Sequence, residues 1–184
     1  HPLPIRSTEG SKTYSVHLPS IGEGEIFGYF SVPDGEGPFP GILEAPGYGS
    51  VVHISPYERR QRYVVLTLVH RGQRLADENF AAAYPGLLTD GIEDPLSYKY
   101  RGIVADVLIG LDWLVGRPEV NPLNVGVTGS EVGLIAASMR SDIVKAVLVT
   151  GPLLLRGASR VNEWPDYYPL EELNDFVRTN EGSV

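Results

Sequence analysis

The stretch Gly129-Ser130-Glu131-Val132-Gly133 decides the fold, because it joins an apolar strand to an apolar helix. Residues 123–128, with the sequence LNVGVT, precede it and have the composition of a short strand. Residues 134–139, with the sequence LIAASM, follow it and indicate the start of a buried helix. A strand that runs through a tight glycine-bounded turn into a helix predicts an α/β sheet.

The glycines of this turn have the spacing of the G-x-S-x-G nucleophile elbow. In that motif the central serine stands at the top of an α/β sheet with its hydroxyl exposed. Here the central position is Glu131. The pattern therefore predicts an active-site turn in which a carboxylate replaces the serine nucleophile.

Glu131 and Ser130 each have several possible roles. Glu131 is a candidate nucleophile that would need an activated water for deacylation, or a general base acting on water. In a purely structural role, its carboxylate would gain about 0.3–1 kcal/mol from the dipole and free N–H groups of the helix. Ser130 is a candidate helix N-cap. As an alternative nucleophile it would break the G-x-S-x-G spacing and turn its hydroxyl away from the site.

The rest of the sequence predicts one α/β domain over residues 1–184, with a mostly parallel sheet. Its amino-terminal hairpin region is 1–38 and its sheet core is 39–184. The predicted elements are a hairpin of 13–18 and 25–33, continuously apolar strands at 39–44, 63–69 and 143–150, helices at 98–115 and 169–179, and a long irregular loop at 75–93.

Ligands bind beyond the carboxyl ends of the strands in such sheets. This geometry predicts a crevice that gathers Tyr48, His70, Arg71, Gln73 and Glu131. His70 is the histidine best placed to act as a base, although a lone histidine is more often structural.

Composition narrows the possible partners. The net charge of −8 and the pI near 5.0 argue against nucleic acid and anionic membranes as partners. The chain has no cysteine, which excludes disulfides and thiolate chemistry, and we predict no metal and no cofactor. No apolar run approaches the ~18 residues of a membrane span, so we expect a soluble protein. The first residue is His1, which suggests a processed amino terminus, as in a secreted protein.

Five further segments carry a resemblance to a known family. They are Pro46-Gly47-Tyr48-Gly49, Arg71-Gly72-Gln73, Asp94-Pro95 with Tyr98-Lys99-Tyr100-Arg101-Gly102, Gly126-Val127-Thr128-Gly129, and Tyr168-Pro169-Leu170-Glu171-Glu172-Leu173-Asn174-Asp175. In this order and spacing the chain resembles the acetyl xylan esterase and cephalosporin C deacetylase family of α/β-hydrolases.

The resemblance implies a three-layer α/β-hydrolase sandwich and a serine esterase that removes acetyl groups with a Ser-Asp-His triad. It implies an oxyanion hole made by the backbone N–H groups of Tyr48 and Val132. It further implies scaffold positions around the site, namely Gly47, Arg71, Gly72, Gln73, Arg101, Gly129 and Gly133. For Arg101 a plain surface charge is an equal alternative.

The chain departs from the family pattern in three places. Glu131 replaces the serine of Gly-Gly-Ser-Gln-Gly-Gly, and Pro46 stands where the family has a histidine. Residue 184 comes before the strands that carry the family's aspartate and histidine, so the resemblance implies a sheet truncated before its last strands. We therefore expect a catalytically degenerate homologue that acts as a binding or assembly module. The alternative is a carbohydrate acetyl-esterase completed by groups outside this chain.

The strand at 143–150 would lie at an edge of such a truncated sheet, where its unpaired backbone groups are open to solvent. We expect a homo-oligomer or a complementary chain to cover this edge. A small acetylated carbohydrate or a similar ester is the predicted ligand.

Overall fold

A computed structural model describes residues 3–22, 24–73, 86, 88–151, 163 and 167–180. Strands in these ranges form one seven-stranded sheet in the order β1-β2-β3-β5-β4-β6-β7. The strands are β1 Leu3–Thr8, β2 Ser11–Pro19, β3 Glu25–Pro33, β4 Phe39–Ala45, β5 Val64–Val69, β6 Val120–Gly129 and β7 Val144–Val149. The helices are α1 Tyr57–Arg60, α2 Lys99–Val115, α3 Glu131–Met139 and α4 Leu170–Asn180.

The sheet has an antiparallel part and a parallel part. Strands β1, β2, β3 and β5 pair antiparallel, whereas β5, β4, β6 and β7 pair parallel. The predicted hairpin is confirmed as β2 and β3. Strand β1, an exposed edge strand that contains Pro4, was not predicted because its sequence lacks the apolar pattern of a buried strand.

The elbow follows β6, which lies between β4 and the edge strand β7 in the parallel part of the sheet. Every residue of β5 is buried, which explains its continuously apolar sequence. In the register, Leu43 of β4 lies beside Val127 of β6, and Ala45 lies beside Gly129. The ends of β4 and β6 therefore meet where the elbow turns into α3.

Helices lie on both faces of the sheet. On one face, Gly110 of α2 packs against Leu43 and Leu68. Glu44 and Thr67 are the neighbouring residues on β4 and β5, so they point to the opposite face. There Glu44 accepts hydrogen bonds from Thr67 at 2.5 Å, from Ser55 at 2.9 Å and from Arg59 of α1. This arrangement confirms the predicted helix, sheet and helix layers.

The predicted long loop at 75–93 falls mostly outside the described residues. Its described end, together with residues 94–98, forms hydrogen-bonded turns that lead into α2. The last helix begins and ends one residue later than the predicted 169–179. No helix in the described ranges is both long and apolar enough to cross a membrane.

Candidate active site

The elbow is a tight turn between β6 and α3. Gly129 has a φ of 137°, which side chains rarely permit. A Cβ at this position would lie 1.9 Å from the carbonyl oxygen of Ala45. Ser130 N–H donates to the same carbonyl at 3.0 Å, which fixes the turn against β4. Gly133, the third residue of α3, lets the helix approach Val127, whose Cγ1 would lie 3.0 Å from an added Cβ.

Glu131 is the first residue of α3, and only 2% of its surface is exposed. The hydroxyl of Tyr100, at the start of α2, donates to Glu131 Oε1 at 3.2 Å. Burial, reinforced by the charge of Glu131, raises the pKa of Tyr100 far above its usual range. Tyr100 therefore stays neutral and remains a hydrogen-bond donor to the carboxylate.

Ser130 occupies the N-cap position with an extended backbone (φ −86°, ψ −170°). The N-cap prediction is right about the position and wrong about the bond, because the side chain makes no capping hydrogen bond. In the described part of the chain, Ser130 Oγ has no hydrogen-bond partner, and the residue is 3% exposed. Its Cβ would lie 3.6 Å from a Cβ at Gly47, so the side chain packs against the loop after β4.

The loop after β4 and the turn after β5 are held together. Gly49 N–H donates to the Gly72 carbonyl at 2.7 Å. Gly72 has a φ of 85°, and an added Cβ would lie 2.8 Å from the Tyr48 ring. Val132, the other predicted oxyanion donor, is the second residue of α3, where its N–H has no carbonyl partner within the helix.

The buried side chains of His70 and Gln73 contact the backbone of the loop after β4. His70 is fully buried, its Nε2 lies 2.8 Å from the Pro46 carbonyl, and its Nδ1 contacts the Arg71 carbonyl. Gln73 Nε2 donates to the Gly47 carbonyl at 2.7 Å and lies 2.9 Å from His70 Nε2. Both ring nitrogens of His70 are therefore engaged within the scaffold.

The two predicted scaffold arginines differ in their surroundings. Arg71 turns away from the crevice toward α2, where its Nε and Nη2 donate to the two Asp106 carboxylate oxygens at 2.9 Å each. Gly102 leaves room for it, since an added Cβ would lie 2.3 Å from Arg71 Nη1. Arg101 is exposed and donates to the Leu96 carbonyl at 3.0 Å.

Tyr100 and α4 contribute to the site in ways that the sequence pattern did not predict. Tyr168, just before α4, lies with its ring centroid 6.2 Å from that of Tyr48. Glu172 of α4 is 2% exposed and is approached by the Tyr48 hydroxyl. Residues 98–100 and 168–175 belong to the segments that carry the resemblance, but nothing in their spacing revealed which side chains they would meet. Within the described ranges, no three histidine or acidic side chains form a group that could hold a metal ion.

Known proteins share this architecture. Acetyl xylan esterase from Paenibacillus sp. R4 superposes with a TM-score of 0.84 at 24% identity, over 97% of this chain and 61% of that one. Acetyl xylan esterase 1 from Thermoanaerobacterium sp. JW/SL YS485 gives a TM-score of 0.82 at 18% identity, over 97% and 60%. These structures confirm the α/β-hydrolase fold, and this chain spans about three fifths of their length.

The sequence is also similar to acyltransferases. The bile acid-CoA:amino acid N-acyltransferase of Mus musculus is 26% identical over 166 residues, which are 87% of this chain and 35% of that protein. The family model for acetyl xylan esterase (AXE1) matches residues 6–183. Since this match covers nearly all of the sequence, the chain belongs to the acetyl xylan esterase family.

Proposed function

We propose that this chain is a catalytically degenerate acetyl xylan esterase homologue that serves as a binding or assembly module. Its ligand would be a small acetylated carbohydrate or a similar ester. The proposal rests mainly on the residue that stands at the nucleophile position of the elbow. The nucleophile position holds Glu131, which is buried and bound by Tyr100.

A buried carboxylate with a hydrogen-bond donor is poorly suited to attack an ester. A nucleophile must reach the substrate carbonyl, whereas Glu131 is almost entirely enclosed. The Tyr100 hydroxyl also stabilises the negative charge that attack would have to release. Both effects favour a structural role for Glu131 at the first turn of α3.

The expected general base is also engaged elsewhere. His70 is fully buried, with Nε2 against the Pro46 carbonyl and the Gln73 amide and Nδ1 against the Arg71 carbonyl, so protein groups separate both ring nitrogens from a substrate. In addition, the carboxylate of Glu131 lies next to Val132, whose N–H would stabilise an oxyanion in an active enzyme. Like-charge repulsion there disfavours an anionic tetrahedral intermediate.

The assembly role is supported by a sheet face that no helix of the described ranges covers over β6 and β7. A groove of about 420 Å³ lies over β4, β6 and β7 and is lined by apolar residues including Ile42, Ala146 and Leu148. Strand β7 (VKAVLV) has the apolar sequence of an interior strand, yet most of its residues are exposed. A second copy or a complementary chain across this face would bury it.

Turnover of p-nitrophenyl acetate tests the loss of catalysis. We expect no hydrolysis above background for the wild-type chain, and no change in Glu131→Gln. Glu131→Ser should also stay inactive, since His70, the candidate base, is fully buried and has both ring nitrogens engaged within the scaffold. Activity in the wild type that Glu131→Gln abolishes would contradict the proposal.

The second candidate is a carbohydrate acetyl-esterase whose missing catalytic groups come from another polypeptide or from residues outside this sequence. The uncovered groove favours it, as does the greater length of the solved esterases, of which this chain spans 61% and 60%. Carbohydrate binding by the isolated chain, measured by calorimetry with acetylated xylo-oligosaccharides, would favour the binding module. Hydrolysis that appears only on addition of a second polypeptide would favour the esterase.

A further inference from the structure

We propose that Tyr168 is a ligand-binding residue, whose exposed ring stacks on a sugar ring of a carbohydrate bound beside the loop after β4. This inference rests on the proposed function, because that function supplies the carbohydrate ligand. It adds the residue that recognises the sugar itself. It holds whether or not the chain hydrolyses esters.

The Tyr168 ring has a fixed position against the loop after β4. Gly49 has a φ of 70°, and an added Cβ there would lie 2.8 Å from Tyr168 Cε1 and 2.9 Å from its hydroxyl oxygen. One side of the ring therefore lies directly on the Gly49 backbone. The ring centroid is 6.2 Å from that of Tyr48, with an angle of 31° between the two ring planes. The Gly49 N–H group donates to the Gly72 carbonyl at 2.7 Å, which holds the loop under the ring.

The two tyrosines differ in how much of their surface is open. Tyr48 is 8% exposed, because its ring packs on the turn after β5, where a Cβ at Gly72 would lie 2.8 Å from Tyr48 Cδ2. Tyr168 is 38% exposed. It therefore presents a large aromatic surface whose orientation is set before any ligand arrives. Such a surface binds with little loss of conformational freedom.

The exposed ring lies close to the elbow. Gly47 precedes Gly49 by two residues, so their Cα atoms are at most about 8 Å apart. A Cβ at Gly47 would lie 3.6 Å from Ser130 Cβ, which places Gly47 against the elbow. A sugar unit on the Tyr168 ring and a group bound at the elbow would therefore be neighbours, as the units of a short oligosaccharide are.

The chemistry of the ring surface suits a sugar. The face of an aromatic ring carries partial negative charge. One face of a pyranose ring presents C–H groups with partial positive charge, while its hydroxyl groups stand at the rim and stay hydrated. A neutral sugar also suits a chain with a net charge of −8, which disfavours an anionic ligand.

Calorimetric titration with xylotriose, with and without O-acetyl groups, tests the role of the ring. Tyr168→Ala should weaken the binding of both ligands about fivefold or more, because the aromatic contact is made with the sugar ring that both contain. Tyr168→Phe keeps the ring and should stay within about twofold of the wild type. Tyr57→Ala is the matched control and should leave the affinity unchanged. Tyr57 is 39% exposed, but it lies on α1, on the opposite face of the sheet.

Proton NMR of the bound sugar separates direct contact from an indirect effect on the loop. Protons that lie over the face of an aromatic ring shift upfield. On saturation with the wild-type chain, C–H protons on one face of a sugar unit should therefore shift upfield. Tyr168→Leu keeps an apolar side chain over Gly49 but has no ring, so this shift should be absent in its complex.

The outcomes distinguish this inference from the proposed function. If the wild-type chain binds xylotriose and Tyr168→Ala binds it equally well, the role of Tyr168 is refuted and the binding function stands. A loss confined to the acetylated ligand would also refute it, because the ring would then contact the acetyl group. So would a wild-type complex without the upfield shift. If the wild-type chain binds neither ligand, the carbohydrate-binding function and the role of Tyr168 both fail.

Discussion

Arg71 belongs to a turn that carries the family resemblance, yet its side chain points toward α2 and Asp106. Its guanidinium is buried and pairs with Asp106, and it also donates to Ser20 Oγ and to the Ile21 carbonyl. These bonds tie the turn after β5 to α2 and to the loop between β2 and β3. Because the Gly72 and Gln73 backbone follows directly, the ion pair fixes the turn that carries the Tyr48 loop.

Removal of Asp106 should strongly destabilise the chain. Asp106→Ala leaves the Arg71 charge buried without its counterion, which costs about 3–5 kcal/mol in comparable pairs. We expect a loss of this size in the free energy of unfolding measured in urea. Asp112→Ala is the matched control, since Asp112 lies on the same helix in an exposed ion pair with Arg140 and should cost about 1 kcal/mol or less. Equal losses for the two variants would contradict the buried-pair account.

The sequence indicated that Asp106 has a buried partner, but it did not indicate the contact that Tyr100 makes. Asp106 lies on the same side of α2 as Ile103 and Gly110, so an acid in that apolar stripe required a buried partner. Tyr100 meets Glu131 across 31 residues of chain. That contact depends on where β4 and β6 place the start of α3, which no local pattern encodes.

At the scale of elements, the elbow depends on Gly129. Its positive φ turns the chain from β6 into α3, and its missing side chain allows the close approach of the Ala45 carbonyl. The strand and helix on either side were predictable from their apolar sequences, since each has enough residues to show a pattern. The short helix α1 and the exposed strand β1 were missed because neither has a sufficiently long buried face.

Gly129→Ala should therefore be severely destabilising, because the added Cβ forces β4 and β6 apart in addition to the backbone strain. The expected loss in the free energy of unfolding is about 3 kcal/mol or more. Gly22→Ala provides the control, as Gly22 has a φ of 81° but nothing within 4 Å of an added Cβ. It should cost only the backbone strain, about 1 kcal/mol. Similar melting temperatures for both variants would show that the contact with Ala45 is unimportant.

At the scale of the whole molecule, the sheet is covered unevenly. Helices α2 and α3 pack on one face, whereas the groove lies over β6 and β7 on the opposite face, which no helix in the described part of the chain covers there. Leu148 lies at this groove with 60% of its surface exposed. Apolar surface of this kind is costly in water, and its burial would favour association.

Sedimentation velocity tests this association. If a second copy covers the groove, the wild-type chain should sediment as a dimer or larger species at micromolar concentration, and Leu148→Glu should shift it to monomer. Leu96→Glu is the control, because Leu96 is 78% exposed in the turn before α2, does not line the groove and should leave the assembly unchanged. If the wild-type chain stays monomeric at every concentration, a second copy does not cover this face, and the partner would be a complementary chain.

The sequence by itself determined the order of the main elements, the elbow, the loss of its serine and the family resemblance. These features depend on local composition and spacing, which a linear chain displays directly. Only the tertiary structure decided that Glu131 is enclosed by Tyr100, that His70 is engaged by carbonyl groups, and that α4 contacts the Tyr48 loop. Such contacts arise from the register of β4, β5 and β6 and from the packing of distant segments, so their geometry exists only after the sheet has formed.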